Sequence, residues 1–184
     1  MQKSEALELL HSKMSSLNLR KHCYSVAAVM RVLAKHFGED ANLWEVAGLL
    51  HDADYEKYPD RHPNVIIEEL EKRKEDPKLI SAIRAHAWGY RDEFPKPVTK
   101  FEWALYTCDE LTGLIVACAL VRPEKKLSTV TVENVMKKWG EKSFAAGVKR
   151  EDIKHCEKEL GIKLPDFIKI ALTAMQGISE ELGL

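Results

Sequence analysis

Six side chains in this sequence have the types and order that metal-assisted chemistry requires: His22, the adjacent His51 and Asp52, His62, His86 and Asp109. Imidazole nitrogen combined with carboxylate oxygen suits a divalent ion such as Mn, Fe, Co, Ni, Mg or Zn, and differs from the thiolate sets of structural zinc. Asp109 is the most informative of the six. It falls in the middle of YTCDELTGLIV, where Leu105, Thr112 and Val116 are its neighbours at helical spacing. A carboxylate held among apolar neighbours is costly unless it is paired or metal-bound. No lysine or arginine lies on that stretch, so the compensating cation must come from elsewhere, and a metal is the economical answer. Each residue alone has an ordinary reading as a surface or core side chain. Their ordered combination carries the signal.

The segments around these residues repeat with helical period. Leu19, Cys23, Val26, Met30, Leu33 and Phe37 form one apolar stripe, with Asn18 expected to cap its start and Gly38 to end it. His22 lies beside that stripe. Asn42 is expected to cap a second helix through LWEVAGLLHDAD, which places His51 and Asp52 at its C-terminal end. The polar DYEKYPDRHP reads as a loop ending at His62, and Pro63 suits the first turn of a helix carrying Ile66, Ile67 and Leu70. Asp76-Pro77 opens another helix, with Leu79, Ile83 and an inward-pointing His86 on one face, stopped by Gly89. A loop over 89–99 precedes a long helix from about Lys100 to Arg122. Shorter helices follow near 131–139, 150–160 and 165–182. The pattern predicts an all-α, compact, single-domain fold over 1–184, with a core at about 18–124 and the last 60 or so residues as accessory helices.

The remaining composition narrows the class. With 28 basic and 29 acidic residues among 184, the net charge is −1. That balance argues against a protein that works by coating nucleic acid or an anionic membrane. Apolar residues at 45% and charged residues at 31% are those of an ordinary soluble globular chain. The N-terminal MQKSEALELL has acidic residues where a signal peptide needs an apolar run. The stretch Leu111 to Val121 is too short for a membrane span and reads as a buried helix. Cys23, Cys108, Cys118 and Cys156 show no Cys-x-x-Cys spacing, which fits buried thiols in a reducing, cytoplasmic setting. Three of the seven histidines, His11, His36 and His155, fall outside the ordered set.

The order His22 … His51-Asp52 … Asp109 resembles the His … His-Asp … Asp signature of the HD superfamily of metal-dependent phosphohydrolases. The similarity extends to the flanking LRKHCYSVAAVMRVLA, WEVAGLLHDADYEKYP, AIRAHAWGY and CDELTGLIVACALVRP. It is greatest with small bacterial and archaeal predicted HD hydrolases, and it covers roughly residues 18–124, with SFAAGVKR also similar. The resemblance implies an all-α helical bundle with the metal site between core helices. His22, His51, Asp52 and Asp109 match the four-ligand signature. Members with two metals add two histidines before the last aspartate, and His62 and His86 fall in that interval. Asp52 would then bridge, with His22, His51 and Asp109 on one ion and His62 and His86 on the other. The gap of 11 residues from His51 to His62 is short for the pattern. The alternative is one metal, with His62 and His86 supporting it or contacting phosphate.

Divalent ions beside two aspartates would draw a phosphate ester, polarise its oxygen and lower the pKa of a bound water, so that hydroxide attacks phosphorus in line. Asp54 and Glu56 are candidates for proton work on the leaving oxygen, although a solvated loop also accounts for Glu56. Lys57 and Arg61, on the loop between His51 and His62, are candidates to hold the substrate phosphate, and Lys57 also to assist catalysis. Lys149 and Arg150 sit at a helix start and could fold over the cleft, whereas Arg84 points away from His86. Trp88, Tyr90, Tyr55 and Tyr58 could stack a nucleobase or simply roof the cavity. The expected partner is a small phosphate ester, a nucleotide or a phosphorylated metabolite. Two further readings stay open: a diiron oxygenase, and a non-catalytic module binding metal or ligand.

Overall fold

Helix α2 (Leu17–Phe37) and helix α3 (Ala41–Leu50) form the largest helix–helix interface of the protein, and a glycine sets how closely they approach. A Cβ at Gly48 would lie 2.5 Å from the Cα and 2.6 Å from the N of Ala27, so the two backbones meet with no room for a side chain. The computed structural model describes residues 1–91 and 93–184. Among them the chain is all-α, with no strand. Around the α2–α3 pair lie α1 (Lys3–Lys13), α4 (Asn64–Lys72), α5 (Pro77–His86) and α6 (Lys100–Leu120). The C-terminal third adds a 3-10 turn (Leu127–Thr129), α7 (Val132–Trp139), α8 (Arg150–Glu159), α9 (Leu164–Gln176) and the short α10 (Ser179–Leu182).

Helix ends follow local side-chain chemistry, at somewhat different residues from those expected. Ser16, not Asn18, caps α2, accepting from Leu19 N–H, and Glu56 reaches the same turn to accept from Ser15 and Ser16. Asp40, not Asn42, caps α3, accepting from the N–H groups of Asn42 and Leu43. An earlier acceptor caps the helix in each case because the first turn has several orphan N–H groups within its reach. Gly38 ends α2 in the left-handed region (φ 72°), as expected. α5 stops at His86, three residues before Gly89, which takes a left-handed turn (φ 78°) beyond it. The expected loop over 89–99 includes position 92, which lies outside the described residues. The expected helix 165–182 divides at Gly177 into α9 and α10.

Helix α6 runs through the middle of the protein, packing on α2, α5, α8 and α9. Thr99 and Glu102 form a reciprocal capping box at its start. Its length and composition would allow a membrane span, but 67% of that stretch is buried inside the protein. In the C-terminal third, α8 packs on α6, α9 packs on α2, and one apolar cluster extends from Ala6 to Leu182. The core that holds α2 and α6 in place is therefore completed by residues beyond 124.

Candidate metal centre

Four helix segments bring the ordered polar residues to one place. His22 projects from the second turn of α2, His51 caps the C-terminus of α3 with Asp52 in the turn after it, His86 is the last residue of α5, and Asp109 lies mid-way along α6. His62 arrives from the loop before α4. His51, His62 and His86 are buried, and His22, Asp52 and Asp109 are partly exposed.

The geometry divides around Asp52. Its Oδ2 lies 3.7 Å from His22 Nε2 and 3.6 Å from His51 Nε2, while its Oδ1 lies 3.3 Å from His62 Nε2 and 3.6 Å from His86 Nε2. Asp109 Oδ1 sits on the first side, 2.9 Å from His22 Nε2 and 3.6 Å from His51 Nε2. Two groups of donor atoms result, each within 4.8 Å: His22, His51 and Asp52, and Asp52, His62 and His86. The partner that the sequence left missing for Asp109 is thus a pair of imidazoles from two other helices.

Each imidazole has its Nδ1 engaged elsewhere. His51 Nδ1–H donates to Gly48 O at 2.9 Å and His86 Nδ1–H donates to Ile83 O, in both cases one turn back along the same helix. His62 Nδ1–H donates to Asp54 Oδ1 at 2.7 Å. His22 Nδ1 faces Thr112 Oγ1 at 3.4 Å, and that hydroxyl donates in turn to Asp109 O. A neutral imidazole with Nδ1–H committed in this way presents its Nε2 lone pair, the arrangement in which histidine binds a metal. Four such lone pairs facing two carboxylates fit a divalent ion. The same carboxylates control protonation. Burial pushes the His51 pKa down, but Asp52 and Asp109 outweigh it and hold the value up to about 9. Partial desolvation pushes the Asp52 and Asp109 carboxyls up, yet the imidazoles around them keep both well below the ordinary range.

A cavity of about 250 Å³ opens onto Asp52, His62, His86 and Asp109. Tyr55, Trp88 and Tyr90 form part of its wall, and Tyr106, Glu110, Lys149 and Asp152, on α6 and the start of α8, form the rest. Of the residues expected to contact substrate, Trp88, Tyr90, Tyr55 and Lys149 line it, and the loop cations do not. Lys57 donates to Ser12 O, Arg61 pairs with Glu68 at 2.8 Å, and neither reaches the cavity wall. Arg150 points back into its own loop, where its guanidinium donates to the carbonyls of Phe144, Ala145 and Val148. Its neighbour Lys149 takes the place at the cavity. Arg84 pairs with Glu71. Asp54 is buried behind His62, where its second oxygen accepts from Ile66 N–H at 2.9 Å, so it faces an imidazole and not the cavity. Glu56 serves the start of α2.

Glu110, Asp152, Tyr106 and Thr112 were not singled out as site residues from the sequence. Glu110 and Thr112 had a signal, since they follow Asp109 by one and three residues. Asp152 and Tyr106 had none, because their place depends on how α8 packs against α6. His155, outside the ordered set, packs instead among Trp88, Trp103 and Tyr106.

Comparison with known proteins agrees with this geometry. The family model described as HD domain matches residues 19–122, which include all six ordered residues. Ribonuclease Y of Bacillus subtilis (strain 168) is 36% identical over 85 residues, covering 44% of this chain and 16% of that protein. Ribonuclease Y of Rhodopirellula baltica is 32% identical over 124 residues, covering 65% of this chain and 21% of that protein. The chain thus spans about a fifth or less of the length of these curated relatives. No solved structure matches it. With more than half of its length matched, and with the His … His-Asp … Asp order gathered at one centre, the chain belongs to the HD domain family of metal-dependent phosphohydrolases.

Proposed function

We propose that this protein hydrolyses a phosphate ester of a small molecule, a nucleotide or a phosphorylated metabolite, at a centre of two divalent ions. His22, His51, Asp52 and Asp109 would hold one ion and Asp52, His62 and His86 the other, with Asp52 contributing one oxygen to each. The observation that carries this reading is the convergence of four imidazole Nε2 atoms on the two oxygens of Asp52, each imidazole oriented through its Nδ1. Ions bound there supply Lewis acidity toward a phosphoryl oxygen and lower the pKa of water, the two contributions that phosphate-ester hydrolysis needs.

The chain's own residues do the rest. Lys149 is the lysine at the cavity and is the side chain placed to hold a phosphate oxygen. Trp88 and Tyr106 keep water from that wall. Asp54, turned toward His62 Nδ1, orients that imidazole. A cavity of about 250 Å³ is slightly below the usual range for ligand sites, which run from roughly 300 Å³ upward. It accommodates a phosphate group and a short attached portion and leaves a larger alcohol outside. Four buried free thiols support a reducing, cytoplasmic setting.

The test is metal analysis of the purified protein together with a phosphate-ester panel, run with and without chelator. The expected result is about two divalent ions per chain and chelator-sensitive phosphate release. Metal content near zero, or release indifferent to chelator, overturns the reading. Iron-dependent oxygen consumption without phosphate release would replace it with oxygenase chemistry.

A further inference from the structure

We propose that the wall formed by α6 and the start of α8 restricts this site to phosphate esters with a single anionic group, excluding those that carry a second phosphate or a carboxylate. The inference rests on the hydrolase reading above and adds to it a substrate class. Among the described residues, four carboxylates line the cavity, Asp52, Asp109, Glu110 and Asp152, against one lysine, Lys149. Asp52 and Asp109 face the imidazoles and are committed to the metal centre. Glu110 and Asp152 are not, and they remain as net negative charge facing whatever extends from the substrate phosphate.

Glu110 is held in place, its Oε2 accepting the main-chain N–H of Lys149 at 3.0 Å. Asp152 shares the wall with Tyr106, whose hydroxyl pKa burial and the neighbouring carboxylates push up. The Glu110 contact matters twice. Lys149 is the capping residue before α8, so its N–H lies at the helix start where a second phosphate could otherwise be bound by the main chain. Glu110 already occupies that donor. Asp152, in the first turn of α8, sits where a helix favours an ionised carboxylate. The neighbouring cations are engaged elsewhere: Arg150 with its own loop's carbonyls, and Lys96 over the rings of Trp88 and Trp103 at 5.4 and 5.6 Å. Lys149 thus matches one phosphate, and a second anion would meet two carboxylates with no further cation among the described lining residues.

A site built for a nucleoside polyphosphate or a nucleic-acid strand would need the opposite balance, since neighbouring phosphates are held by lysine and arginine. The portion that suits this wall is uncharged or cationic, with hydroxyl or ammonium groups that donate to Glu110 and Asp152 and a surface that packs on Trp88 and Tyr106.

The experiment uses the metal-loaded protein and two probes of similar size, glycerol phosphate and phosphoglycerate, which differ by one carboxylate. Binding is read from the shift in melting temperature with ligand concentration, and turnover from phosphate release. Glycerol phosphate is expected to be favoured by about tenfold or more in both. In Glu110→Gln, and more so in Glu110→Gln with Asp152→Asn, the ratio should contract to within about threefold at unchanged metal content. Equal response to the two probes in the unmodified protein overturns the proposal alone, as does an undiminished ratio in the folded, metal-loaded Glu110→Gln variant. Failure of both probes to bind or turn over overturns the proposal together with the hydrolase reading.

Discussion

Asp54 bridges His62 and the start of α4: one carboxylate oxygen accepts His62 Nδ1–H at 2.7 Å and the other accepts Ile66 N–H at 2.9 Å. Both residues are buried, Asp54 to 1% exposure. The pair fixes which face of the imidazole is free and ties its loop to a helix. Removing it is expected to weaken one metal position about 10–100-fold and leave the other intact, the usual scale for a group that orients a ligand. Asp54→Ala should therefore bind about one ion per chain at concentrations that load two in the unmodified protein. Asp54→Asn, which keeps an acceptor for His62, should recover part of the loss. Metal titration checks both, with melting temperature reporting the separate cost of leaving Ile66 N–H unpaired. Retention of both ions at full affinity in Asp54→Ala would count against the orienting role.

The two groups of donor atoms have Asp52 in common. Asp52→Ala is expected to abolish binding of both and to remove turnover, because both donor groups include this carboxylate. His62→Ala removes a donor from one group only, and its metal content should fall by half. Elemental analysis of the folded variants gives the count.

Gly48 controls the distance between His22 and His51, whose Nε2 atoms lie 3.3 Å apart across the α2–α3 interface. A methyl group there would meet the backbone of Ala27, which has no flexible end to move aside. Gly48→Ala should destabilise the fold by about 1–3 kcal/mol or more as the helices separate. Metal affinity should drop with it, although no ligand has been altered. Denaturant unfolding and metal titration on the same sample check the coupling.

Glu102 anchors the N-terminus of α6, the helix that carries Asp109. Burial raises its pKa, but hydrogen bonds from Ser81 and from the Thr99 and Val98 N–H groups outweigh it, and the value lies below the ordinary 4.5. A carboxyl depressed on folding contributes stability that is present above its unfolded pKa and is lost as pH falls through the folded one. Glu102→Gln should therefore cost about 1 kcal/mol at neutral pH, and the difference should fade below about pH 4 as the unmodified side chain protonates. Paired thermal melts across that range, without metal, test the sign. A gap that widened in acid would contradict it.

Much of this protein was legible in one dimension. The apolar stripe from Leu19 to Phe37 and the Asp76-Pro77 start are local signals, read within one or two turns of helix, and the helices stand where those signals place them. α1 (Lys3–Lys13) leaves little local signal, because its apolar pattern is weak and its place depends on packing against α3. The six ordered residues were legible too, because a buried aspartate without a cation on its own helix is a deficit visible in sequence.

The sequence by itself determined the helical class, the order of the polar residues and their chemistry, since periodicity and side-chain type are properties of the chain. Which charged groups face the cavity was decided only by tertiary packing. Lys57 and Arg61 are near His51 and His62 in sequence but are turned to Ser12 and Glu68. Glu110, Lys149 and Asp152 gather because α8 returns across α6. Asp54, close after the His-Asp pair, faces inward to an imidazole and not outward to substrate. A side chain's partners depend on the direction in which its backbone holds it and on what packs against that direction, and spacing along the chain specifies neither.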